Sequence, residues 1–85
     1  MARKRAAEQN EANGQALIGN MYANGIGVPQ DYVEGYKWLT LAAAQTFPDQ
    51  YAAIENRDTL ASQMTPIQIA QAWTLVRNWK PTPER

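Results

Sequence analysis

Gly19-Asn20-Met21-Tyr22-Ala23-Asn24-Gly25-Ile26-Gly27-Val28-Pro29-Gln30-Asp31-Tyr32 is the stretch on which the fold turns. It begins inside a pattern with small or apolar residues at Gly14, Ile18 and Tyr22, a spacing of four that draws one stripe down a helix over about Ala12 to Asn24. The pattern then stops. Gly25 and Gly27 can take positive φ, Pro29 lacks an amide donor, and Asp31 is placed to cap a second helix. Val28 is the one apolar group in this corner that could fold back over the helix pair. Gly14 and Gly19 each cost roughly 1 kcal/mol against alanine inside a helix, so a close helix crossing is the expected gain.

Outward from the corner, the second helix runs from about Asp31 to Gln45. Tyr32, Gly35, Tyr36, Leu39, Ala42 and Ala43 recur at three- and four-residue steps, and Trp38 and Leu41 widen the stripe enough to predict packing on two sides. After Thr46-Phe47, Pro48 suits the first turn of a third, more polar helix reaching about Ser62, with Ala52, Ala53, Ile54 and Leu60 as its apolar positions. Thr65-Pro66-Ile67-Gln68 then reads as a helix start: a capping threonine, proline at the first helical position and glutamine three residues after the cap. Ile69, Ala72, Trp73, Val76 and Trp79 form the buried stripe of this fourth helix, and Pro81 and Pro83 end it.

The chain repeats itself. Ala6-Ala7-Glu8-Gln9 returns as Ala42-Ala43-Ala44-Gln45, an offset of 36 residues that also carries Ala16 onto Ala52, Ile18 onto Ile54 and Asn20 onto Asn56. A period of this size belongs to two-helix solenoid units. The expected fold is therefore all-α, two antiparallel helical hairpins of an α-α superhelix.

Composition removes most chemistry. Apolar residues make up 45% of the 85 residues, enough for one small folded domain and too many for a disordered chain. There is no cysteine and no histidine, which excludes thiolate metal sites, cysteine nucleophiles and Ser-His or Cys-His dyads. Asp31, Glu34, Glu55 and Asp58 are the carboxylates that could pair, and no histidine or glycine-lined approach supports them; Ser62, the sole serine, has no base beside it. Gly25-x-Gly27 lacks the third glycine and the Gly-Lys-Ser/Thr end of a phosphate loop and follows a helix, where nucleotide fingerprints follow a strand. No catalytic residue, cofactor or metal is expected.

Eight basic and eight acidic side chains cancel, so no net field draws the chain to nucleic acid or to an anionic membrane. Arg3, Lys4 and Arg5 read as a solvated start. No apolar run approaches the roughly 18 residues of a membrane span and no signal peptide opens the chain, so as written it reads as cytoplasmic; a secreted or periplasmic location would require a start upstream of Met1.

The residues Ala6-Ala7-Glu8-Gln9, the stretch Gly19 to Tyr32, then Lys37-Trp38-Leu39 and Ala42-Ala43 together resemble the Sel-one-like repeat family. Tyr-x-x-Gly-x-Gly-Val-Pro-x-Asp-Tyr, followed by a Lys-Trp pair and a double alanine, fills most of the family's signature. The resemblance covers one full repeat at residues 12–47. It makes residues 1–11 the end of a preceding repeat, 48–80 a degenerate repeat helix with a capping helix of the kind that closes bacterial chains of this type, and 81–85 a tail. The chain departs from the pattern at Gly14 and Gly35, where alanine is usual, and at Asn10, where glycine is usual, which predicts looser packing. The resemblance implies an α-solenoid related to tetratricopeptide repeats, and an adaptor or scaffold with no shared chemistry.

The expected function is a protein-protein interaction module that binds a protein or peptide through an inner wall made by the first helix of each pair. Asn13, Asn20 and Asn24, with Asn56 and Arg57 at matching places in the next unit, would offer hydrogen bonds to a bound backbone. The helix stripes place Trp38 and Trp73 in the core and leave Trp79, at the end of the last helix, as a contact residue. The alternative is structural: a terminal cap, or a remnant of a longer array that self-associates by end stacking, since solenoids usually need about three repeats. A hydrolase, known among cysteine-rich relatives, is disfavoured by the missing histidine.

Overall fold

The computed structural model describes residues 2–81, with side chains from Arg5 onward. The side chains of Arg3 and Lys4 and the tail beyond Pro81 lie outside the described residues.

Five helices follow one another: α1 (Ala2–Glu8), α2 (Ala12–Asn24), α3 (Tyr32–Ala43), α4 (Gln50–Ala61) and α5 (Pro66–Asn78), with no strand among the described residues. The chain is all-α. Its helix boundaries follow from local chemistry. Gly25, at φ 67°, ends α2 in the left-handed conformation, and its amide donates to the Met21 carbonyl. The Asp31 side chain accepts from the Glu34 amide and starts α3. Thr65 and Gln68 form a reciprocal capping box at the start of α5, each side chain bonding the other's backbone amide. Pro48 lies in the turn before α4, not in its first helical turn as its sequence context suggested; the helix starts at Gln50, and Gln50 Nε2 donates back to the Ala43 carbonyl 3.0 Å away.

The first hairpin closes tightly because of its glycines. A Cβ on Gly19 would lie 2.9 Å from Leu39 Cγ and 3.0 Å from the Leu39 amide nitrogen, and one on Gly35 would meet the Ala23 nitrogen at 3.1 Å. Gly14 does the same between α1 and α2, its missing Cβ falling 2.8 Å from Ala6 Cβ and 2.9 Å from the Ala7 nitrogen. The expectation of looser packing at Gly14 and Gly35 is thus reversed: both stand where backbones come closer than alanine allows. Asn10 is equally well explained. It adopts φ 67°, the left-handed region that suits the glycine usual there, and asparagine is among the few other residues that tolerate it.

Helix α3 packs against α2, α4 and α5. Leu39, Tyr36, Leu60 and Ala72 make one core cluster there, and Ala42, Ala43 and Ala53 another. A third joins Ala7, Ile18, Met21 and Trp38, with Val28 folded back onto it from the corner. Helices α4 and α5 meet near their turn, where Met64 and Ile69 flank Leu60, and splay apart beyond it. Helix α5 settles on α3 instead, with Tyr36 and Trp73, and Trp38 and Trp79, in edge-to-face contact at 6.0 Å.

Trp73, expected in the core, lies nearer the surface than its stripe predicts, and Trp79, expected at the surface end of the last helix, is partly covered. Trp73 remains 38% exposed, while Trp79 is half-buried against the Trp38 cluster. Helix α5 crosses α3 so that its last residue, not the middle of its stripe, covers Trp38.

Candidate groove between the first helices of the two units

Helices α2 and α4 lie parallel, 36 residues apart in register, and the shallow space between them is the candidate site. Near its middle Asn56 Nδ2 donates to Asn20 Oδ1 at 3.2 Å. Toward the N-terminal ends of the two helices a hollow of about 330 Å³ is lined by Asn13, Leu17, Asn20, Asp49, Asn56 and small alanines. Toward their C-terminal ends a second, of about 310 Å³, is lined by Asn20, Asn24, Asn56, Thr59, Leu60 and Gln63. Asn20 and Asn56 line both hollows, so the two form one groove.

Four of the residues singled out from the sequence, Asn13, Asn20, Asn24 and Asn56, come together here. Arg57 does not line the groove. It lies a further 100° or so round α4, half-buried, with its Nε 3.2 Å from Asp58 Oδ1. Trp79 is also elsewhere, on the Trp38 cluster under the end of α5. Leu17, Asp49, Thr59 and Gln63 line the groove without having been singled out. The 36-residue offset itself was the signal that would have found two of them, since it sets Asp49 beside Asn13 and Ala53 beside Leu17.

The groove is polar and almost uncharged. Helix α2 carries no Asp, Glu, Lys or Arg, and Asp49 is the one such residue among those lining the groove. Leu17, 42% exposed, adds an apolar spot. An amide pair that bonds once internally still holds one donor group and one acceptor in reserve, which is the complement of a peptide main chain.

Rigidity at the N-terminal end comes from a second set of amides. Gln15 is fully buried; its Nε2 donates to the Ala7 carbonyl at 3.3 Å and to Asn10 Oδ1 at 3.2 Å, and its Oε1 accepts from Gln45 Nε2 at 2.8 Å. Gln45 Nε2 also reaches Asn10 Oδ1 at 3.1 Å. This knot ties the α1–α2 turn to the end of α3, so the α2 wall of the groove is held from behind.

Three of the four carboxylates weighed as possible acids or bases are otherwise engaged, and the fourth, Glu55, is exposed on α4 outside the groove lining. Asp31 caps α3, Glu34 pairs with Lys37 at 3.0 Å, and Asp58 pairs with Arg57. Ser62 donates its hydroxyl proton to the Thr59 carbonyl. Among the described residues no group of three or more acids could hold a metal ion, and no helix is long and apolar enough to cross a membrane.

Compared with protein families, residues 12–47 match the Sel1 repeat. Comparison with curated proteins and with solved structures finds no match. Sel1 repeats generally mediate protein-protein interaction.

Proposed function

We propose that this chain, whose residues 12–47 match the Sel1 repeat, is an interaction module, an adaptor that holds an extended peptide segment of a protein partner in the groove between α2 and α4. The observation that carries the reading is the Asn20–Asn56 hydrogen bond. It joins equivalent residues of successive units across an open surface, and it leaves the Asn20 Nδ2 and the Asn56 Oδ1 without another partner among the described residues. A bound main chain can accept from the first and donate to the second. Asn13 and Asn24 extend the row of amides toward either end.

The test is co-precipitation from a lysate with wild type and with an Asn20→Ala/Asn56→Ala double variant. Both side chains are solvent-facing, so the fold should survive their loss. Partner recovery should fall at least fivefold in the double variant. Equal recovery would remove this surface from consideration.

A structural observation favours a second role alongside the first, that of an array end. In repeat register Asn78-Trp79 takes the place of Ala6-Ala7 and Ala42-Ala43, the small pairs on which the following helix packs. A tryptophan at that position blocks the next helix, so we read residues 48–80 as a degenerate repeat helix followed by a cap. End stacking of copies would then be confined to the α1 side, and light scattering should find nothing larger than a dimer.

A further inference from the structure

We infer that the segment bound in this groove carries a lysine or arginine, seated beside Asp49, about three residues from the peptide unit held by Asn20 and Asn56. The inference rests on the groove reading above and adds the chemistry of the occupant.

Asp49 is the one ionised group among the lining residues, and its carboxylate is uncommitted. As N-cap of α4 it makes no side-chain hydrogen bond, whereas Asp31, in the corresponding place on α3, binds the Glu34 amide. No ion pair engages it among the described residues. A cation there meets a full negative charge with its acceptors unused. Leu17, 42% exposed, lies one turn further along the groove, an apolar surface for the methylene stem of a lysine or arginine.

Anions find no matching place. Two parallel helices bring their positive ends together at the Asn13 end, which would ordinarily draw a carboxylate. Asp49 occupies that end, and Glu11, the N-cap of α2, adds a second acid whose side chain is likewise not used for capping. At the far end, near Asn24 and Gln63, both helices turn the negative end of their dipoles to the groove, with no basic residue in either last turn. A chain-terminal carboxylate is therefore unfavourable at either end, and the occupant is an internal segment.

The register gives a spacing. Asp49 and Asn56 are seven residues apart on one helix, a rise of about 10 Å, which an extended peptide covers in about three residues.

Three pools of acetylated, amidated ten-residue peptides, random in uncharged residues and bearing one lysine, one glutamate or neither, test this by retention on immobilised protein. The lysine pool should be retained about threefold more than the neutral pool, and the glutamate pool less than either. Asp49→Asn, which keeps a good N-cap residue, should level the three pools, and so should 0.5 M salt, where the screening length shrinks to about 4 Å. Equal retention of lysine and glutamate pools by wild type, or a preference unchanged in Asp49→Asn, would overturn the inference. If retention of every pool still falls in Asn20→Ala/Asn56→Ala, the groove reading stands without it. If the double variant retains all pools as wild type does, both fall.

Discussion

Gly19 and Gly35 face each other across the α2–α3 crossing so closely that each would thrust a Cβ at the other's carbonyl. A Cβ on Gly35 would sit 3.1 Å from the Gly19 oxygen, and one on Gly19 would sit 3.2 Å from the Gly35 oxygen. The hairpin that carries the groove's α2 wall is as tight as it is because neither residue has a side chain.

Gly35→Ala sets helix propensity against space. Alanine gains roughly 1 kcal/mol in a helix interior, but here its methyl meets backbone on two sides and Leu60 Cδ2 at 3.2 Å on a third. Backbone cannot rotate away, so the variant should lose about 1–2 kcal/mol net. Gly19→Ala, whose Cβ would lie 2.9 Å from Leu39 Cγ, should lose at least as much. Urea midpoints at or above wild type for both variants would show that the helices separate at no cost.

Asn10 is held by two opposing demands. Its φ of 67° favours glycine, while its Oδ1 accepts from Gln15 Nε2 and Gln45 Nε2. Asn10→Gly relieves the backbone but removes that acceptor, with a net loss of about 1 kcal/mol. Asn10→Ala removes the acceptor and keeps the strain, so it should lose about 2 kcal/mol. Thermal melts that rank glycine above wild type would mean that the amide knot adds nothing.

The two tryptophans of α5 should differ in the order opposite to their place in its stripe. Trp79→Ala uncovers Trp38, which is 3% exposed, together with Ile18 and Met21, and should cost about 2–3 kcal/mol. Trp73→Ala removes a ring already partly in water and one edge contact with Tyr36, and should cost about 1 kcal/mol. Calorimetric Tm values in the reverse order would contradict the crossing of α5 over α3.

Caps offer an internal comparison. Thr65→Ala removes the hydroxyl that accepts from the Gln68 amide, leaving the reverse bond from the Thr65 amide to Gln68 Oε1, and should cost about 1 kcal/mol. Asp49→Ala removes a side chain that makes no cap bond, so its cost should be about half that or less. Hydrogen exchange at the first amides of α4 and α5 resolves the two separately; equal deprotection would show that Asp49 does cap its helix.

Much of this protein was settled by local sequence. The corner Gly25-Ile26-Gly27-Val28-Pro29, the caps Asp31 and Thr65, and the 36-residue echo of Ala6-Ala7 in Ala42-Ala43 act over a few residues or one period, so they specify helices and their order without reference to the rest of the chain. The same echo brought Asn20 onto Asn56 and thereby made the middle of the groove legible.

Tertiary structure decided what depends on which backbone approaches which. That Gly35 lies where backbones meet more closely than alanine allows, and that Trp79 rather than Trp73 covers Trp38, are both consequences of helix crossings. A helical stripe names a face some 100° wide but not the neighbour that will fill it. Arg57 shows the limit most plainly: adjacent to Asn56 in sequence, it sits round the helix from the groove, because one residue is a full 100° of rotation.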